Sequence, residues 1–332
     1  MHYGCVPFPL SVLDQSPISE GSVGGDALRN SIDLAQHVEA LGYERYWIAE
    51  HHGTPMLASA APEILIAAVA AATSRIKVGS GGVMLPHYSP LKVAEVFSML
   101  AALYPGRIDL GLGRAPGSDR ETMFALQRDR RQPSPDDFPE QLSELLAYLE
   151  DDFPGGHPLA RLAALPGGPE RPEVWLLGSS AQSAIWAGEL GLRYVFADFI
   201  NPAGAEIAEL YRQRFVPSSR REAPYVGVAV SVVCAEDDEE AQRLASSSRM
   251  AMSLLRQGRL IAVPPVERAL RFFEEQPPPT GRRAVVGSPE TVRAGVEQVV
   301  ADYGADEAMI VTITYDHDAR RRSYELVAGA FR

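Results

Sequence analysis

Three side chains that carry charge or protons end one apolar run of the sequence. In YWIAEHHG (residues 46–53) the apolar residues stop at Glu50, His51 and His52. Alternation along a strand places Glu50 and His52 on one side and His51 on the other. Adjacent histidines on opposite sides rarely share a metal, and no HxxxH or HExxH spacing occurs, so no metal site is expected. The triplet is either a polar strand end in water or one edge of an active site.

Two glycine-rich stretches mark the ends of two neighbouring predicted strands. They are GSGG (residues 79–82, with Gly81 and Gly82) and GLG (residues 111–113). Glycine weakens a strand, so such clusters often mark the close approach of a ligand. The glycines therefore favour a flat ligand, and tight packing inside a small barrel is the alternative.

The stretch LGSSAQSAIWAGELG (residues 177–191) has the features of an anion site. A strand runs through Gly178, Ser179 and Ser180 into a helix, whose first N–H groups and positive dipole end favour an anion. Ser180 and Ser183 add hydroxyl groups, and Arg114, after the fourth predicted strand, can pair with a phosphate. A plain serine cap and a surface ion pair are the alternatives. Glycines for a ring, and serines with an arginine for a phosphate, describe a flavin mononucleotide (FMN) site.

Eight short apolar runs alternate with amphipathic helical segments along the chain. This rhythm predicts an α/β fold, a (β/α)8 TIM barrel in one domain over residues 1–332. Insertions are expected after strands 4 and 7, at residues 114–173 and 237–275. Sites in such barrels lie at the carboxyl ends of the strands, so Asp14, which ends the first strand, joins the candidate cofactor-binding residues. A doubly wound open sheet is the alternative, but the G-x-G-x-x-G fingerprint is missing.

Composition narrows the class of protein. The net charge is −12 and no basic block occurs, which argues against a nucleic-acid partner. Cys5 and Cys234 form no CxxC pair, and the N-terminal residues do not resemble a signal peptide. The longest apolar stretch is too short to cross a bilayer, so we expect no membrane association and a cytoplasmic location.

Five motifs together resemble one family over essentially the whole chain. They are WIAEHH, KVGSGGVMLPHYSP, YPGRIDLGLGRAPG, LGSSAQSA and VGSPETV. The chain is similar to the flavin-dependent luciferase-like monooxygenases, and within them to the alkanal-monooxygenase-like bacterial subgroup. The resemblance implies a TIM barrel, usually dimeric, with FMN at the carboxyl-terminal rim.

The resemblance also implies roles for single residues. His51 matches the catalytic base of bacterial luciferase, and Gly81-Gly82 matches a pair joined by a cis peptide beneath the flavin. The phosphate-binding residues of the family fall on Arg114, Ser179, Ser180 and Ser183, and a second arginine would lie near residues 130–131. Gly113 replaces a reactive cysteine of luciferase, so its aldehyde pocket and light emission are not expected here.

The function implied is a monooxygenase that uses reduced FMN and dioxygen, through a C4a-peroxyflavin, to oxidise a small organic substrate. Because no nicotinamide fingerprint is present, reduced flavin is expected from a separate flavin reductase. Three alternatives remain. They are a deazaflavin-dependent oxidoreductase of the same superfamily, a non-catalytic flavin-binding protein, and a hydrolase or isomerase of a sugar phosphate.

Overall fold

A closed ring of parallel strands forms the centre of the molecule. The computed structural model describes residues 8–114, 119–131, 137–276 and 284–332; Cys5 and Gly117 lie outside them. The strands in this part of the chain are β1 (Leu10–Asp14), β2 (Arg45–Ile48), β3 (Lys77–Met84), β4 (Ile108–Gly113), β5 (Glu173–Gly178), β6 (Arg193–Ala197), β7 (Val226–Cys234), β8 (Val285–Gly287) and β9 (Glu307–Val311).

The strand order is β6-β5-β4-β3-β2-β1-β9-β7, and a further pairing of β6 with β7 closes the ring. The predicted (β/α)8 barrel is therefore confirmed, and its eight predicted strands are β1–β7 and β9. The sequence analysis missed β8, a three-residue strand that pairs only with Val232–Cys234 at the end of β7. It is too short to show an alternating pattern.

Helices surround the ring. They are α1 (Gly24–Leu41), α2 (Pro62–Ala72), α3 (Pro90–Leu103), α4 (Arg120–Leu126), α5 (Phe138–Glu150), α6 (Ala181–Glu189), α7 (Ala205–Arg214), α8 (Asp238–Arg256), α9 (Val266–Glu275), α10 (Pro289–Tyr303) and α11 (His317–Ala330). The predicted insertions hold α4 and α5 after β4, and α8 and α9 after β7. Proline occupies the first turn of α2, α3 and α10, where its missing N–H costs nothing. No helix in the described ranges is both long and apolar enough to cross a membrane.

Charged side chains fill the amino-terminal end of the barrel. Arg45, at the start of β2, donates from Nε to Glu307 Oε1 at 3.0 Å and from Nη1 to Asp109 Oδ2 at 2.9 Å. The indole of Trp47 donates to the same Asp109 oxygen at 2.8 Å. Above this floor lies an apolar layer that includes Leu13, Trp47 and Trp175. The apolar layer thus separates the charged floor from the carboxyl-terminal end of the barrel.

Candidate active site

Glu50, His51 and His52 lie in the loop after β2, which ends at Ile48. Glu50 is fully buried, and its Oε1 lies 2.7 Å from His52 Nε2. The same carboxylate accepts from the Met84 N–H at 2.9 Å and the Tyr88 hydroxyl at 3.0 Å. Glu50 therefore ties the end of β2 to the end of β3, and it is not free to act as a base.

Like its neighbour His52, His51 lines a cavity. Its Nδ1 is buried and has no hydrogen-bond partner within the described residues. Burial, and then the neighbouring His52, lower the pKa of His51 to about 4, against a smaller opposing effect of Glu50. The imidazole is therefore neutral at physiological pH and can accept a proton.

The cavity at this end of the barrel, which we call the central cavity, has a volume of about 890 Å³. One wall consists of strand ends and the residues that follow them, among them Gln15, His51, Ser231 and Val311. A second wall is one face of α8, with Ala245, Ser248, Arg249 and Met252. The lining is mainly apolar with a few polar groups, which is usual for a small-molecule site.

The predicted phosphate-binding residues lie beside α6, the serines at its start and Arg114 against Trp186 further along the helix. Arg114 follows β4, and its Cζ lies 5.4 Å from the ring centre of Trp186 on α6. Ser180 is the N-cap of α6, and Ser183 N donates to its hydroxyl at 3.5 Å. The first N–H groups of a helix have no intrahelical acceptors, so this end is suited to an anion.

Ser183 is largely directed inward. It is buried, and its hydroxyl lies 2.8 Å from the Ser180 carbonyl and 3.0 Å from the Tyr194 hydroxyl. An added Cβ at Gly178 would lie 2.1 Å from the Ser183 hydroxyl, so this glycine permits the close turn into α6. Ser183 thus supports the turn, whereas Ser180 is exposed.

One short segment connects the α6 turn to the central cavity. Phe199 and Ile200, which follow β6, line the cavity. The next residue, Asn201, donates from its side chain to the Ser179 carbonyl at 3.1 Å. Gly81, Gly82, Arg114 and the serines are not among the described residues that line the cavity. His51 therefore lies at the cavity, whereas Arg114 and the serines lie beside α6.

The peptide bond between Gly81 and Gly82 is cis, as the resemblance implies. An added Cβ would lie 2.4 Å from Leu13 Cδ1 at Gly81 and 2.8 Å from the Gly111 carbonyl oxygen at Gly82. At Gly111 it would lie 2.1 Å from the Ser80 carbonyl oxygen. Tight strand packing, the alternative raised by the sequence, thus accounts for these three glycines. At Gly113 the nearest atom is Met84 Sδ at 3.5 Å, which leaves room for a side chain.

The carboxylate of Asp14 lies on the helix side of the sheet. It accepts from Arg320 Nη2 at 2.6 Å and from the Tyr46 hydroxyl at 2.5 Å, and it is fully buried. The role of Asp14 at the cofactor stays a prediction, and the direction of its side chain does not support that role. Arg131, one candidate for the second arginine, pairs with Asp129 of its own loop at 2.8 Å.

Sequence reasoning missed the α8 face of the cavity. Ala245, Ser248 and Met252 recur at helical spacing and could have been assigned to one face. The insertion at residues 237–275 was expected to cover the barrel mouth, but the sequence alone does not show which face of its helix lines the cavity. Within the described residues, no cluster of three His, Cys, Asp or Glu side chains is placed to hold a metal ion.

The chain matches the family model described as luciferase-like monooxygenase over residues 8–307. It belongs to the luciferase-like monooxygenase family. Two similar relatives are a luciferase-like monooxygenase of Escherichia coli (strain K12), 42% identical over 95% of each chain, and the N-acetyl-S-alkylcysteine monooxygenase of Bacillus subtilis (strain 168), 38% identical over 97% of each.

Solved structures share the fold. The apo form of MsnO8 is 44% identical, with a TM-score of 0.90 and 98% of each chain covered. The oxygenating component of 3,6-diketocamphane monooxygenase from Pseudomonas putida, solved with FMN, has a TM-score of 0.69 at 20% identity and 97% coverage of each chain. An F420-dependent secondary alcohol dehydrogenase has a TM-score of 0.67 at 16% identity, covering 98% of this chain and 99% of its own. At these lower identities the likeness concerns the fold alone.

Proposed function

We propose that this protein is a monooxygenase that uses reduced FMN and dioxygen to oxidise a small organic substrate. Membership of a monooxygenase family supports the reaction class. The observation that carries the choice of cofactor is the position of Arg114, whose guanidinium lies against Trp186 of α6. One cation and one helix N-terminus at the same rim suit a phosphate monoester.

The residues present fit FMN. Arg114 and the start of α6, with Ser179 and Ser180, would hold the phosphate. A place for the ring against Gly81 and Gly82 stays a prediction, because neither glycine lines the central cavity and both pack against protein atoms. Reduced flavin supplies two electrons and activates dioxygen, so that one oxygen atom enters the substrate and the other leaves as water.

His51 would control protons beside the reacting atoms. Its Nδ1 is buried and unpartnered within the described residues, so a ligand group can bond to it without displacing a protein contact. The neutral imidazole can accept a proton from substrate or water and return it later. The mostly apolar walls of the central cavity would keep water from the reaction.

The deazaflavin alternative is less well supported. F420 carries a longer anionic tail than FMN and would favour a basic groove. The chain has a net charge of −12 and one predicted arginine beside α6. A deazaflavin-dependent dehydrogenase also has no need to exclude water from activated oxygen, so the mostly apolar walls of the central cavity favour the monooxygenase.

We propose a separate flavin reductase and a homodimer as partners, with a cytoplasmic location. Exposed apolar side chains on the neighbouring helices α2 and α3 support the dimer. Ile64 is 71% exposed, Met99 52% and Leu103 65%. Because such side chains are costly to leave in water, Leu103→Glu should shift a dimer toward monomer in sedimentation experiments.

The test combines cofactor binding with isotope transfer. The protein is titrated with FMN and with F420, each oxidised and reduced. It is then supplied with ¹⁸O₂, NADPH, a flavin reductase and a panel of organic substrates that includes N-acetyl-S-methylcysteine. We expect preferred binding of FMN and one ¹⁸O atom in a product. Binding of F420 alone, with hydride transfer and no ¹⁸O in any product, contradicts the proposal.

A His51→Ala variant separates the role of His51 from that of the residues beside α6. We expect a large loss of product formation, about 10²-fold or more, with little change in FMN affinity. Equal losses of product formation and FMN affinity contradict the role given to His51.

A further inference from the structure

The α8 wall of the central cavity carries an arginine that the reaction above does not use. Arg249 lies on the cavity face of α8, near Ser248 and Met252, and it is half-buried. Its helix follows β7 and packs against β7 and β8, so Arg249 approaches the cavity from the helix wall. His51 belongs to the strand-end wall of the same cavity.

Arg249 has no counter-ion in the part of the chain that the structure describes. Burial lowers the pKa of its guanidinium, and no charged neighbour contributes. Asp119 is an acidic residue that lines the cavity, but its Oδ1 accepts from the N–H groups of Glu121 and Thr122. Arg243, earlier on the same helix, shows the usual arrangement, with an ion pair to Glu240.

A partly desolvated cation without a partner is costly unless an anion reaches it from outside. The remaining α8 wall and the loop after β2 offer apolar side chains, among them Met56, Leu57 and Met252. A ligand that satisfies both features has an apolar body and one anionic group. With one half-buried arginine on this wall, a monoanion fits the charge better than a phosphate dianion.

We propose that Arg249 binds the carboxylate of an otherwise apolar organic substrate, whose reacting end is thereby directed toward the strand-end wall and His51. The proposal rests on the proposed monooxygenase function for the identity of the ligand as substrate. The binding step itself needs no redox chemistry. Arg249 is in this view a binding residue that sets specificity.

The experiment measures binding of matched carboxylates and amides by calorimetry. The full-length protein, with and without FMN, is titrated with hexanoate, octanoate and decanoate and with the three corresponding neutral amides. We expect the best carboxylate to bind about tenfold or more tightly than its amide, as for a charge-assisted hydrogen bond. In Arg249→Gln this preference should fall to about twofold or less, and Arg249→Lys should retain part of it.

Two control variants remove the same charge elsewhere. Arg271 lies exposed on α9, and Arg271→Gln should leave the preference unchanged. Arg256 ends α8 at the exposed margin of the same cavity, so Arg256→Gln tests whether any cation nearby suffices. The ratio of carboxylate to amide affinity is not changed by a general loss of packing, which weakens both ligands.

Three results overturn the proposal. They are the absence of a carboxylate preference at every chain length, its persistence in Arg249→Gln, and its loss in Arg256→Gln but not in Arg249→Gln. The FMN titration is read separately. A carboxylate preference without FMN binding contradicts the proposed function alone, and FMN binding with isotope transfer but no carboxylate preference contradicts this inference alone.

Discussion

At the scale of single residues, His51 shows how two adjacent histidines take different tasks. Glu50 holds His52 at 2.7 Å. His51 has no partner for its Nδ1 in the described residues, although both histidines line the central cavity. The sequence predicted a division by strand alternation, but the three residues lie beyond the end of β2. It did not predict how strongly burial acts on His51, because burial depends on α8 and on the loop after β2.

The lowered pKa of His51 predicts a pH effect on stability. Its folded-state pKa of about 4 lies below the ordinary 6.5, so between these values the unfolded chain binds more protons and stability falls as the pH falls. In His51→Gln this contribution disappears. We expect the wild type to lose about 3 kcal/mol more than the variant between pH 7 and pH 4. Urea unfolding at several pH values measures it, and parallel curves contradict the assignment.

At the scale of elements, the glycines of β4 separate packing from ligand binding. Gly111 and Gly113 lie two residues apart on the same strand, and the sequence could not distinguish them. The difference comes from β3, because the Ser80 carbonyl oxygen would lie 2.1 Å from a Cβ at Gly111. At Gly113 the nearest atoms, Met84 Sδ at 3.5 Å and the Val83 carbonyl oxygen at 3.9 Å, are at ordinary contact distances. The alternating sequence pattern predicted the strands and which residues share a face. The distance between the backbones of two neighbouring strands depends on how the barrel closes, so the pattern does not reveal it.

Alanine at each position tests this difference. Gly111→Ala should destabilise the protein by about 3 kcal/mol or more, since a backbone oxygen cannot give way easily. Gly113→Ala should change the free energy of unfolding by less than about 1 kcal/mol. Denaturant unfolding of both variants compares them directly. Similar losses in the two would show that strand packing does not explain Gly111.

At the scale of the whole molecule, the barrel has a charged floor and an open upper end. Arg45 and Glu307 are 262 residues apart in sequence, and both are almost fully buried. Each is the first residue of a strand, and such charged starts recur at Lys77, Glu173 and Arg193. The charged residues were visible in the sequence. Which of them form ion pairs depends on the order of the strands in the barrel, which local sequence patterns do not determine. The eight strands, both insertions and the covering of the barrel mouth by the second insertion were predictable from the sequence. The ion pairs of the floor, β8 and the α8 residues that line the cavity were not.

Removing the central cation of the floor should be costly. Arg45→Met leaves Asp109 and Glu307 buried without their counter-ion, and we expect a loss of about 3–5 kcal/mol. The exposed pair of Arg29 with Asp26 is the control, and Arg29→Met should cost less than about 1 kcal/mol. Equal stability of the two variants would refute a structural role for the floor. The folded fraction of Arg45→Met should still bind FMN normally, because an apolar layer separates the floor from the upper end.

The most direct test of the proposed cofactor site compares FMN with riboflavin, which lacks the phosphate. We expect the wild type to bind FMN about tenfold or more tightly than riboflavin. Arg114→Gln should remove most of that preference and leave riboflavin affinity unchanged, while Arg161→Gln, an exposed change in the same connection, should behave like the wild type. Fluorescence titration gives both affinities. An Arg114→Gln protein that keeps the full preference for FMN, or loses both ligands equally, would show that the phosphate is not bound beside α6.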